Sequence, residues 1–160
     1  MPVTVPIQLN TWSQKAAGDL VIFNVGYEKR SLHQLCATLV AAGVEVLLDV
    51  RERPWSMRPE FRRERLRKEL DASGIGYVHC KAAGNPYRPK PGEVKSFDDC
   101  MRDYERHIRA SPDVVEEMSG LLRGRRAAVF CYEARRDRCH RSVLLDAIER
   151  IAGPLTVVDL

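Results

Sequence analysis

Between Cys131 and Arg141 the chain sets two thiols, two carboxylates, one imidazole and four guanidinium groups within eleven residues: Cys131, Glu133, Arg135, Arg136, Asp137, Arg138, Cys139, His140 and Arg141. A thiol beside guanidinium groups and an imidazole gives up its proton readily, and the thiolate is the form that attacks. Cys139 is the better nucleophile, because Arg138, His140 and Arg141 flank it and a helix is predicted to start directly after it, offering free backbone N–H groups. Cys131 lies two residues from Glu133 on the same side of an extended chain, and a carboxylate that close raises a thiol pKa. Glu133 therefore fits better as a partner of Arg51 or Arg141, holding a guanidinium for bidentate use. The plain alternative makes Cys131 a small apolar residue closing a strand and the arginines solvated charges. A solvated loop, however, has no need of Cys, His and Glu together.

The chemistry that follows is attack by a thiol on an anionic or sulfur-bearing substrate, in a transferase or hydrolase with Cys139, Cys131, Glu133 and His140 as catalytic residues. A second reading, from another class, is a binding module for an anionic small molecule, a nucleotide or a nucleic-acid end, without catalysis. Arg51, Arg53, Arg58, Arg135, Arg138 and Arg141 would meet phosphates, with Tyr27, Trp55 and Tyr87 as stacking faces. His79, Cys80, Cys131, Cys139 and His140 could also gather around a metal, but no CxxC or HxxxH spacing supports it, so neither metal nor cofactor is expected. His33 and His107 fall on predicted helices among charged neighbours and read as surface residues.

A site of this kind needs a rigid frame. The run AAVFCY over 127–132 is apolar enough for a fully buried strand, and SVLLDAIERIAG after it has helical spacing, so the charged loop sits at a strand-to-helix turn. LVIFNV, 20–25, predicts a first strand. Ser31 caps a helix carrying Leu32, Leu35, Cys36, Leu39 and Val40 on one face, stopped at Gly43. Val44–Val50 is a second strand ending in Asp49 and Arg51, followed by a loop with Pro54 and Pro59 and a helix over 61–72 marked by Phe61, Leu66 and Leu70. Ile75–Cys80 is a third strand, and 82–93 a proline-rich loop long enough to form a lid or binding loop. Helices follow over 97–110 and from Ser111-Pro112 to Leu122, then the strand 127–132, the helix 140–152 and a last strand, LTVVDL.

Apolar rather than alternating strands, separated by helices, predict a single three-layer α/β domain over 20–160, with about five mostly parallel strands and helices on both faces. Residues 1–19, with Pro2 and Pro6, read as an N-terminal arm that Trp12 could pin to the body. In a parallel sheet the ends of strands one to four open on one edge. Gly26-Tyr27, Asp49-Arg51, His79-Asn85 and Cys131-Arg141 would then share a crevice.

The composition is that of a globular domain: 160 residues, 44% hydrophobic and 30% charged. No apolar run reaches the roughly 20 residues a membrane span needs, which excludes a helical membrane protein and predicts a cytoplasmic one. Cys36, Cys80, Cys100, Cys131 and Cys139 are odd in number and irregularly spaced, as free thiols in a reducing compartment would be. The net charge of +4 is mild but uneven, with arginine concentrated in 51–67 and 123–141, which permits a phosphate-bearing partner. Oligomeric state is not legible.

The segments NVGYEKRSL (24–32), LLDVRERPWS (47–56), SGIGYVH (73–79) and FCYEARRDRCHRSVLLDAI (130–148) together resemble the bacterial and archaeal family called domain of unknown function 488. The last of them is similar to the family's Cys-x-Glu followed by Cys-His-Arg-Ser. The resemblance spans 20–160 and implies the same α/β fold. Residue by residue it reaches Gly26, Arg30, Ser31, Asp49, Arg51, Cys131, Glu133, Cys139, His140, Arg141 and Ser142; Tyr27 stands where the family often has His. With Tyr27 added, Gly26, Arg30, Asp49, Arg51, Arg141 and Ser142 are the substrate-binding candidates. The family's name assigns no activity, so the reaction rests on the residues. DVRERP is also similar to the aspartate-arginine strand end of rhodanese-like sulfurtransferases, a likeness of chemistry alone, because two helices intervene before the Cys strand.

Overall fold

A computed structural model describes residues 20–160; the N-terminal arm and Trp12 lie outside the described residues. Strand β1 (Leu20–Gly26) leads through helix α1 (Leu32–Ala41) to β2 (Val46–Asp49), and α2 (Arg63–Ala72) leads to β3 (Gly76–His79). Helices α3 (Phe97–Arg109) and α4 (Pro112–Leu122) precede β4 (Ala127–Cys131), and α5 (Arg141–Ala152) precedes β5 (Leu155–Asp159). The five strands form one parallel sheet in the order β3-β2-β4-β1-β5. The predicted element order and three-layer architecture are those observed.

The layers follow from the apolar stripes. Leu32, Leu35, Cys36 and Leu39 of α1 and Leu66 and Leu70 of α2 pack with Phe61, Phe23, Val25, Leu47 and Phe130 on one face of the sheet. Tyr104 and Ile108 of α3, Val115, Met118 and Leu122 of α4, and Leu144, Leu145 and Ile148 of α5 cover the other face, against Ile22, Leu48 and Val129. Two details differ from the periodicity. Val40 is exposed while Leu39 beside it is fully buried, so the apolar stripe of α1 ends at Leu39, and Phe61 belongs to a short 3₁₀ turn before α2. Ser31 caps α1 as expected, in a reciprocal box with Gln34.

The strand order creates the site. β4 lies at the centre, between β2 and β1. The helices that follow β1 and β2 pack on one face, and the helix that follows β4 packs on the other. Chains leaving neighbouring strand ends in opposite directions open a crevice at the carboxyl edge. Among the described residues no helix is long and apolar enough to cross a membrane.

Candidate functional site

A crevice of about 830 Å³ opens at this edge, and each of the four strand-end segments contributes to its wall: Tyr27, Arg51, Asn85, and Cys131 with His140. A smaller hollow of about 390 Å³ adjoins it, bordered by Glu133, Cys139 and Cys100, and the two share Asn85, Arg88, Pro89 and His140. Cys131 and Cys139 lie at the floor, each about 1% exposed.

Cys139 is extended (φ −140°, ψ 152°) between a 3₁₀ turn and α5, which aims its side chain back over the end of β4. Its sulfur receives Nε of Arg141 at 3.2 Å and lies 3.6 Å from Nδ1 of His140. Side chains, rather than the free N–H groups anticipated at the helix start, thus surround the sulfur. His140 Nε2 lies 2.8 Å from the Val50 carbonyl oxygen, which only accepts, so Nε2 carries a proton and Nδ1 faces the sulfur. Tyr104 buttresses the imidazole edge-on, with ring centroids 5.0 Å apart. Burial pushes the Cys139 thiol up, but hydrogen bonds to Cys131 and His140 and the charges of His140 and Arg141 together hold it well below the usual thiol range. Cys131 moves the other way. It is the donor to Cys139, and that bond, burial, and the charges of Cys139 and Glu133 all keep its proton on. The two thiols therefore share one readily lost proton.

Arg141 is fully buried. Besides the sulfur, it donates Nη1 to the Val25 carbonyl at 2.5 Å and Nη2 to the Glu133 carbonyl. Gly26 permits this arrangement, since a Cβ there would collide with the Glu133 carbonyl. Arg51 is also buried and forms a fork to Asp49, Nε to Oδ1 at 2.9 Å and Nη2 to Oδ2 at 2.6 Å; Tyr77 Oη donates to the same Oδ2 at 2.6 Å. Asp49 with Arg51 thus forms one unit, and Arg141 with Cys139 and two backbone carbonyls another. The Glu133 carboxylate pairs with neither Arg51 nor Arg141 but with Arg88, at 2.5 Å, because the loop after β3 folds back over the site. Its Oε2 is buried without a hydrogen bond, and burial and the Cys139 charge push its carboxyl up.

Other candidates have different partners. Tyr27 is buried, stacked between Phe61 (centroids 4.2 Å apart) and Phe130 (5.3 Å), so its ring faces are not free for a base. Arg30 donates to the Leu160 carbonyl, and Ser142 donates to the Cys139 carbonyl and borders a different groove, between α5 and β5. Arg135 is paired with Asp137 on the surface, and Arg138 lies over Phe97. His79 and Cys80 do not join the cluster: His79 Nε2 meets the Arg51 carbonyl, and burial pushes the Cys80 thiol up to about 12. The donor atoms of Cys131, Cys139 and His140 lie within 4.8 Å of one another, a spacing a soft cation would also suit. Sequence reasoning missed Arg88, Tyr77 and Tyr104. Only Arg88 had a signal, its place in the proline-rich loop.

No curated protein and no solved structure matches the chain. A family model matches residues 31–148, which takes in the Asp49-Arg51 strand end, the loop bearing Arg88 and the whole Cys131–Ser142 turn, and leaves outside it the Gly26-Tyr27 turn. With well over half of its 160 residues matched, the chain belongs to the family described as Domain of unknown function DUF488.

Proposed function

We propose that the protein is an enzyme whose nucleophile is the Cys139 thiolate and whose substrate is an anionic or sulfur-bearing electrophile. The observation that carries this reading is the 3.2 Å hydrogen bond from Arg141 to the Cys139 sulfur. The guanidinium is fully buried and its other two partners are neutral carbonyls. A buried cation requires a counter-charge, and Cys139 is the partner able to supply one. His140, its tautomer fixed by Val50, is placed to take or return a proton at the sulfur. Glu133, held by Arg88, borders the same hollow as Cys139. Arg53 and Lys90 reach the crevice without ion-pair partners among the described residues and favour an anion there.

The test is competitive alkylation of the full chain with iodoacetamide at neutral pH, read by peptide mapping. Cys139 should be labelled before Cys36, whose thiol burial pushes up, and inorganic phosphate should slow the labelling. Cys36 labelled as fast as Cys139, with no effect of phosphate, would end the nucleophile reading and favour a crevice that only binds anions.

A further inference from the structure

We propose that the site is a two-cysteine redox centre in which Cys131 is the resolving thiol and the substrate is a small disulfide bearing carboxylates; this rests on the thiolate reading of Cys139. A nucleophile acting alone has no need of a second buried thiol beside its sulfur. Here the Cys131 and Cys139 sulfurs and a ring nitrogen of His140 lie within 4.8 Å of one another at the end of the central strand. The two residues border different openings, Cys131 the large crevice and Cys139 the adjoining hollow, with Arg88 bordering both and Nη2 of its guanidinium 3.8 Å from the Cys131 sulfur. One half of a disulfide can thus sit against Cys139 while the other leaves through the crevice. The crevice wall carries Arg53, Arg88 and Lys90, with Trp55 as an exposed apolar face. That lining suits a ligand with carboxylates on a short organic body.

The steps balance without a cofactor. The Cys139 thiolate attacks one sulfur of RS–SR; a Cys139–SR bond forms, the substrate S–S bond breaks, and RS⁻ leaves with the electron pair and is protonated. Cys131 then gives its proton to His140 and attacks the Cys139 sulfur, forming the Cys131–Cys139 disulfide and expelling the second RS⁻. The substrate gains two electrons and the two cysteines lose them. A thiol in excess restores the dithiol by the same steps reversed.

Reduced full-length protein is incubated with oxidised glutathione, and separately with the cationic disulfide cystamine, and followed by intact mass and peptide mapping. The expected product is the protein less two hydrogens, with Cys131 and Cys139 joined, formed roughly tenfold faster from oxidised glutathione than from cystamine. Cys131→Ser should instead stop as a stable glutathionyl adduct on Cys139. A wild-type adduct on Cys139 that persists without a bridge would overturn the resolving role while leaving the nucleophile intact. A Cys100–Cys139 bridge would reassign the second thiol, and equal or faster reaction with cystamine would remove the anionic substrate class. Tight binding of added zinc that is lost in both Cys131→Ser and Cys139→Ser would replace the redox centre with a metal site. No reaction at any cysteine would remove both this inference and the thiolate enzyme.

Discussion

Arg88 holds Glu133 at 2.5 Å and lies 3.8 Å from the Cys131 sulfur, so one half-exposed guanidinium from an irregular loop covers a thiol at the end of the central strand. Its charge lowers both the Cys131 thiol and the Glu133 carboxyl against the effects that raise them. Replacing it by an uncharged side chain uncovers the sulfurs and removes the attraction for anions. In Arg88→Met the ratio of iodoacetamide to iodoacetate labelling rates should rise roughly tenfold. An unchanged ratio would mean that Arg88 does not recruit anions to the thiols.

Arg141 and Lys are not equivalent here, because Lys cannot donate to a sulfur and two carbonyls from one planar fork. Arg141→Lys should move the alkylation midpoint of Cys139 up by about 1–3 pH units. Thiolate absorbance at 240 nm, titrated in both proteins, measures this directly.

The pH dependence of stability has a definite sign. The Cys139 pKa is lower in the folded protein than in the unfolded chain, so its contribution is full above the ordinary thiol value of about 8.5 and is lost as pH falls toward the folded value. The Cys131 pKa is raised, so its contribution is full below about 8.5 and is lost only as pH climbs above that. The stability difference between wild type and Cys139→Ser should therefore shrink between about pH 8 and pH 5. Urea melts across that range test it, and a difference that stays constant on acidification would mean that Cys139 is buried as the neutral thiol.

Much of this arrangement was legible in the chain. Buried parallel strands announce themselves as unbroken apolar runs such as LVIFNV and AAVFC, and the stops at Gly43 and Gly74 need backbone that glycine adopts freely. The crowding of Cys, His and Arg before α5 pointed to the site because those side chains are costly to bury unless they satisfy one another. What could not be read was pairing across strands. Nothing local says that β4 inserts between β1 and β2, and without that order Glu133 has no reason to choose Arg88 over Arg51. Tyr27 illustrates the same limit, because only the neighbours Phe61 and Phe130 decide that its ring turns inward.

Asp49 accepts from Arg51 and Tyr77 while fully buried. Asp49→Ala leaves the Arg51 guanidinium buried without its counter-ion and should cost about 3–5 kcal/mol. Thermal or urea unfolding measures it. A loss under about 1 kcal/mol would show that water reaches Arg51 and that the pair is a surface one.

Gly26→Ala forces the Glu133 carbonyl away from β1. It should destabilise by about 1–3 kcal/mol and also slow Cys139 alkylation, because that carbonyl is one of the acceptors that orient Arg141. Loss of stability with unchanged Cys139 reactivity would separate the two effects and show that Arg141 is oriented without Glu133.

The central position of β4 sets the tempo of the site. Its amides are paired on both sides, and opening them requires the sheet itself to come apart, whereas the covering segment 84–96 has no regular structure and is exposed over most of Pro86–Val94. The two sulfurs lie where the central strand meets that exposed segment. Reagents should reach them when that segment swings out, with the sheet intact. At high reagent concentration the labelling rate should level off at the opening rate of the segment, unchanged by denaturant too dilute to unfold the domain.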